Sequence, residues 1–512
     1  MRALFWLRVG CFWLALSSQT VAADGELTLR VVDRQTGRLL PCRLHLWDQR
    51  ERPRRVERLP FCEDHFVFDG EVTLQLPTGH YRFLLERGLE YPHVNGNFEI
   101  KTFADDQEEV SLSRAIDMKA EGWWSGDLDV RRPLHEVPLL MQAEDLHLAQ
   151  VVTWENDEIL DLMLKKQEEL LVNFDGDRWF HASAGTLRYP GTVLQLFHLP
   201  EPLAVQSGAN HLPPPSFFFE TIESFDPDRE TVWADLTRSY WWEMPTLVAN
   251  GDLDSIRIAG SNITRTALSD DEEGGYPRDP MRFPDPWGNA RWAQEIYFRL
   301  LDCGFQIPPS AGSGSGEVAN PVGLNRMYAH LDGPMTYRRW WDAFRLGRVF
   351  VTNGPLLLPS VEGTLPGHRF LLPEGENLLL EPVLSLSTRR SISYLEIIKN
   401  GEIAHSVRLE EYIENQGRLP NLKFEESGWF LIRAVADETS TYRFAMTAPW
   451  YVQIGSEKRI SRQDAQFFLD WIYQRARALA KIEDPALRKG WIDFHRRGRD
   501  TFKRLVEQAN RE

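Results

Sequence analysis

Cysteine is scarce, with four in 512 residues. Cys11 lies in an apolar leader, so only Cys42, Cys62 and Cys303 remain for the folded body, which excludes a disulfide-dense scaffold and any zinc ribbon built on Cys-x-x-Cys pairs. Long apolar runs are missing too. After the leader no stretch supplies the ~20 residues that a membrane-spanning helix needs. Positive charge is in deficit, 58 Lys and Arg against 75 Asp and Glu for a net charge of −17, which argues against a nucleic-acid-binding surface. No GxSxG elbow and no GxxxxGK[ST] loop occurs, so serine-hydrolase and nucleotide-binding readings lack support.

What is present begins with arginines ahead of an apolar run from Val9 to Leu16, followed by polar residues and small Val21-Ala22-Ala23. This reads as an export signal over residues 1–23, and it predicts a periplasmic or extracellular protein with no membrane span after cleavage. Losing Arg2 and Arg8 takes the charge from −17 to −19. In an oxidising compartment Cys42 and Cys62 are close enough in sequence to bridge.

Over residues 24–115 the pattern is β. Leu27, Leu29 and Val31 alternate with polar residues, Leu44 and Leu46 alternate again, and Asp69-Gly70 turns into Val72, Leu74 and Leu76, the texture of a β-sandwich accessory domain. Residues 116–357 mix apolar runs such as Leu146 to Val152 with helical spacing at Ala293, Ile296, Tyr297 and Leu300, which predicts an α/β layer structure. Residues 358–455 return to strands, with Asn400-Gly401 as a hairpin turn, and form a β-rich module. The last segment, 456–512, predicts a helical hairpin: Ser461 and Asp464 form a capping pair, and Asp484-Pro485 restarts a second helix. Its apolar stripe predicts packing on the protein or on a second copy of it.

The stretch Glu121 to His135, EGWWSGDLDVRRPLH, gathers the candidate chemistry. On a strand, Asp127, Asp129 and Arg131 fall on one face. Glu155 and Asp157 follow the next apolar run and Glu243 comes later; these six residues make the candidate pocket, to which the resemblance described below adds Asn262. The carboxylates Asp127, Asp129, Glu155 and Asp157 are the candidate ligands for calcium, magnesium or manganese, since hard cations take oxygen donors. Arg131 works against that site, because guanidinium carries five donors and no acceptor and places a fixed cation where an ion would sit.

The same strand resembles the Gly-Asp-Leu-His-x-His strand of the CehA/McbA-like metallohydrolase branch of the PHP (polymerase and histidinol phosphatase) superfamily, with Asp129 and Arg131 at the two histidine positions. Tyr240 to Gly260, Pro308 to Gly316 and above all Gly347 to Leu357 (GRVFVTNGPLL) are similar to runs of that branch. LPTGHYRF, Leu76 to Phe83, resembles carboxypeptidase-regulatory-like or transthyretin-like modules. The resemblance implies a distorted α/β barrel with metals at the carboxyl ends of its strands. It also implies ligand loss at more than one strand, since Asn262 stands where a histidine is expected. Two functions follow as expectations. In one the protein has lost the metal chemistry, has no cofactor, and acts as a binding or scaffold module. In the other an altered oxygen-rich metal site hydrolyses an ester, amide or phosphoester.

The remaining histidines, His135, His147, His181, His198, His211 and His330, show no i, i+4 metal spacing and read as structural. The doublets Trp123-Trp124, Trp241-Trp242 and Trp340-Trp341 make an extracytoplasmic carbohydrate the candidate partner, although core packing is the commoner fate of tryptophan.

Overall fold

The computed structural model describes residues 24–156, 158–160, 169–203, 213–269, 272 and 274–512. The leader and Asp157 therefore lie outside the described residues, as does His211.

The alternating apolar residues near the start of the described chain produce two sheets. Asp24–Asp33 pairs antiparallel with Glu71–Pro77 and parallel with Asp105–Leu112. A second sheet orders Phe61–Cys62, His65–Phe68, Cys42–Asp48, Gly79–Glu86 and Val94–Ile100. Leu27, Leu29, Leu44, Leu46, Phe66, Val72 and Leu74 fill the space between them, as expected when one face of each strand is apolar. Cys42 and Cys62 are free thiols, as is Cys303.

The α/β barrel expected of the middle segment is not what the chain forms. Strand accounts for 37% of the structure and helix for 20%, arranged in several β-rich sheets. The reason is visible in the connections. Trp179–Tyr189 turns at Pro190-Gly191 directly into Thr192–Phe197 as an antiparallel hairpin, and Thr192–Phe197 pairs antiparallel again with Trp233–Leu236. Parallel pairs survive where Trp123–Val130 meets Leu148–Glu155 and where Trp233–Leu236, Ser255–Ala259 and Pro309–Ala311 run side by side. Strands from beyond the middle segment join the same sheet, since Val349–Thr352 pairs with Phe444–Thr447. Long-range antiparallel pairing thus replaces the regular strand-helix alternation that the resemblance led us to expect.

The helix Gly288–Asp302 buries the stripe read from its spacing, including Ala293, Ile296, Tyr297 and Leu300. At the end of the chain, Ser461 Oγ accepts the Asp464 N–H at 3.2 Å and caps Arg462–Leu479, and Asp484 caps Pro485–Gln508. These two helices pack back onto their own chain. Phe468, Trp471, Trp491 and Phe502 join the main core, and the Thr246 hydroxyl lies 2.8 Å from His495 Nδ1. Their apolar stripe is therefore covered within one molecule. Among the described residues no helix is long and apolar enough to cross a membrane.

Candidate functional site

The strand Trp123–Val130 is buried along its whole length, which forces each polar side chain on it to find a partner. Asp127 finds three backbone donors: the N–H groups of Asp129 at 3.0 Å, Ser313 at 2.9 Å and Gly323 at 2.7 Å. Burial still pushes its carboxyl above the ordinary value, with those hydrogen bonds opposing it. Asp127 is thus a structural acceptor that ties the Pro308 to Gly316 segment to the strand.

Asp129 belongs to a different environment. Its Oδ1 accepts from Arg131 Nε at 3.3 Å and its Oδ2 from Arg257 Nη1 at 2.9 Å. Burial would raise the carboxyl, but the two guanidiniums bring it below its ordinary value. Arg131 continues outward to Glu155 at 2.8 Å and Glu317 at 3.3 Å, and donates to Thr186 Oγ1 at 3.1 Å. Arg188 meets Glu155 at 2.7 Å and Glu317 at 2.9 Å. Arg257 donates to Asp235 at 2.6 Å and to Gln195 Oε1 at 2.5 Å, while Ser255 and Ser310 donate to the other oxygen of Asp235. Every guanidinium in this network therefore meets at least two carboxylates.

Glycine makes the closure possible. A Cβ at Gly312 would lie 2.7 Å from Asp129 Cβ and 2.9 Å from Arg257 Cζ, so only a residue without a side chain lets the loop pass over the ion pairs.

These residues border a cavity of about 350 Å³ whose wall includes Arg188, Gln195, Thr237, Trp241 and Asn262. Gln195 Nε2 is buried without a hydrogen-bond partner. Asn262 Nδ2 donates to Asn289 Oδ1 at 2.8 Å. Of the seven residues read from the sequence, Asp129, Arg131 and Asn262 line this cavity, and Glu155 joins through its ion pairs. Asp127 is held by the backbone instead, and Asp157 lies outside the described residues. Glu243 does not join them. It is buried against Thr192 and accepts from Arg475 Nη2 at 2.6 Å, anchoring the first C-terminal helix. Burial raises its carboxyl, opposed by Arg475.

The residues at this cavity do not fit a divalent metal. Asp129, Glu155 and Glu317 are already taken by guanidiniums, and Arg131 has no lone pair to offer. Sequence reading missed Arg257, Arg188, Asp235 and Glu317. A signal existed for Arg257: it is the charged residue in the buried strand Ser255–Ala259, SIRIA, and a buried cation demands a buried anion. Of the six tryptophans in doublets, Trp123, Trp124, Trp241, Trp340 and Trp341 are buried and Trp242 is partly so, hence their main role is packing.

A second group was not read from the sequence. His45, Asp64 and His65 each place a ligand atom within 4.8 Å of the others and could hold a metal. Asp64 is, however, paired with Arg265 and accepts from His65 Nδ1 at 3.0 Å, and Arg43 adds a further cation that disfavours protonated His65. Glu86 also lies 3.2 Å from His45 Nε2 and pairs with Arg43, so the carboxylates around this group are already matched by guanidiniums.

No protein-family model matches the chain, and no curated protein does. Among solved structures it is similar to the Bacillus anthracis TIE protein at 17% identity, over 22% of this chain and 19% of that one, with a TM-score of 0.15. It is also similar to a pilus-presented adhesin (Cpa) at 16% identity, over 19% of this chain and 28% of that one, with a TM-score of 0.14. The chain spans less than a third of either, and at these scores the likeness assigns neither fold nor function.

Proposed function

We propose that the protein is an exported, non-catalytic binding module and that the Arg131 cavity takes a carbohydrate. The observation that carries this reading is the saturation of Asp129, Glu155 and Glu317 by Arg131 and its neighbours. A hydrolase of the resembled branch needs a Lewis acid to generate a nucleophilic hydroxide, and a side chain with donors only cannot help to hold one. Here the fixed guanidinium supplies the positive charge that the carboxylates require and leaves the cavity lined by groups that make directional hydrogen bonds.

That lining suits a hydroxylated ligand. Gln195, Thr237 and Asn262 offer amide and hydroxyl groups, Arg188 supplies a partly exposed guanidinium, and Trp241 borders the same space with an apolar ring. Such a mixture of few polar groups beside an aromatic is how concave sites orient sugars and similar molecules.

The test is a glycan array followed by titration calorimetry on the purified full chain, with generic ester and phosphoester turnover measured alongside. The expected result is a glycan signal that weakens in Arg188→Ala and no turnover above background. Chelator-sensitive turnover by the parent protein, with no glycan signal, would overturn the proposal.

A further inference from the structure

Arg443 is buried, and its guanidinium meets backbone only: Nη1 donates to Asn353 O at 3.0 Å and Nη2 to Arg265 O at 2.7 Å. Among the described residues no carboxylate lies within ion-pair distance of it. Arg389 is in a similar position. Its Nη2 donates to the carbonyls of Arg87, Gly88 and Tyr91, and its nearest carboxylate, Glu86, is 3.5 Å away. Burial brings the Arg443 guanidinium down to about 10, and burial lowers Arg389 as well, against the pull of Glu86.

Both residues line a cavity of about 260 Å³, separate from the Arg131 cavity, at the junction of three parts of the chain. The first sandwich contributes Arg43 and Glu86, the connections between strands after the middle segment contribute Arg389, Arg390 and Arg443, and the turn Asn353-Gly354-Pro355 closes it. That turn belongs to GRVFVTNGPLL, a motif to which the Arg131 cavity gives no role. Six guanidiniums stand at or just behind the wall, those of Arg43, Arg265, Arg326, Arg389, Arg390 and Arg443. Among the described residues four carboxylates answer them, those of Asp64, Glu86, Glu144 and Glu438, which leaves two positive charges in excess there. Glu144 is shared between Arg43 and Arg326.

We propose that this junction cavity binds the sulfate or phosphate group of a ligand, held by Arg389, Arg390 and Arg443. Guanidinium donors match the oxygens of a tetrahedral oxyanion and bind them with charge-assisted hydrogen bonds. Two uncompensated charges suit a dianion. Because the wall is drawn from three parts of the chain, the bound group braces them and stabilises the folded state by linkage.

The experiment is thermal denaturation and calorimetry of the full chain with inorganic sulfate and with inorganic phosphate, against sodium chloride at matched ionic strength. Sulfate stabilises many proteins without a site at high concentration, so the reading depends on saturation at low concentration. The expected result is a saturable rise in Tm with at least one oxyanion and none with chloride. Arg390→Gln removes a half-exposed side chain whose ion-pair partner is Glu438, at 2.5 Å, and should weaken binding roughly tenfold, as should Arg443→Gln. A stronger response to sulfate assigns a sulfate ester, and a stronger response to phosphate a phosphate ester. Equal responses to chloride, or parent-like affinity in both variants, would overturn the proposal.

Discussion

Two arginine-lined cavities in this chain differ in what answers the arginines. Around Arg131 each guanidinium meets at least two carboxylates. At the junction, among the described residues, Arg443 meets carbonyl oxygens alone and Arg389 has one carboxylate at 3.5 Å. The same side chain therefore completes a charge network in one place and leaves positive potential in the other. Arginine content alone would rank the two alike. The difference lies in where the counter-charges fall, and it separates a cavity set for hydrogen bonding from one set for an anion.

The largest effect expected from this contrast is at Arg131. Arg131→Ala leaves Asp129, Glu155 and Glu317 each short of a partner. Breaking a buried pair costs about 3–5 kcal/mol, and because Arg257 and Arg188 still reach these carboxylates the expected loss is about 2–3 kcal/mol by denaturant unfolding. Parent-like stability would break the charge-balance account of that cavity.

The next effect concerns acid. His65, beside the junction arginines, is held down to about 3 by burial and by Arg43, against its hydrogen bond with Asp64. A folded value below the ordinary 6.5 means that its contribution to stability is complete above pH 6.5 and is lost as pH falls toward 3. At pH 5 the loss is up to about 2 kcal/mol. His65→Asn should flatten the fall in Tm between pH 6.5 and 5, measured by thermal scans across pH, whereas Arg131→Ala should leave that part of the limb unchanged and act only at the lower pH where Asp129 and Glu155 titrate. An identical acid limb in His65→Asn and the parent would contradict this.

The smallest effect sharpens the contrast. Arg443→Met exchanges a buried cation without a carboxylate for an apolar chain, losing two bonds to carbonyls but also a desolvation cost, so the net change should lie within about 1 kcal/mol. A loss matching that of Arg131→Ala would show that Arg443 is as fully compensated as Arg131.

Local patterns were legible in the sequence where a few neighbouring residues decide the outcome. The period-2 alternation around Leu27 and Leu74, the Ser461 and Asp464 cap, and the stripe of Gly288–Asp302 are of this kind. So was the conflict at Arg131, which follows from its donor inventory. Asp127 shows the limit. Strand alternation groups it with Asp129, yet its carboxylate is claimed by Ser313 and Gly323, far along the chain. Glu243 was drawn away in the same manner by Arg475. The expected α/β barrel failed because sheet order depends on long-range pairing. The pairing of Trp123–Val130 with Arg326–His330, about two hundred residues further along the chain, leaves no mark in either run of residues. The junction cavity was illegible for that reason too, since its wall joins Arg43, Asn353 and Arg443.

The most direct test of the account is metal uptake at the Arg131 cavity. Parent protein and the double variant Asp129→His with Arg131→His would be exposed to manganese, zinc and calcium, freed of excess ion and assayed for metal per chain. The account predicts no stoichiometric metal in the parent and partial uptake in the variant, where two imidazoles replace a carboxylate and a guanidinium. One tightly held ion per parent chain, lost when Asp129 alone is changed to Ala, would contradict it.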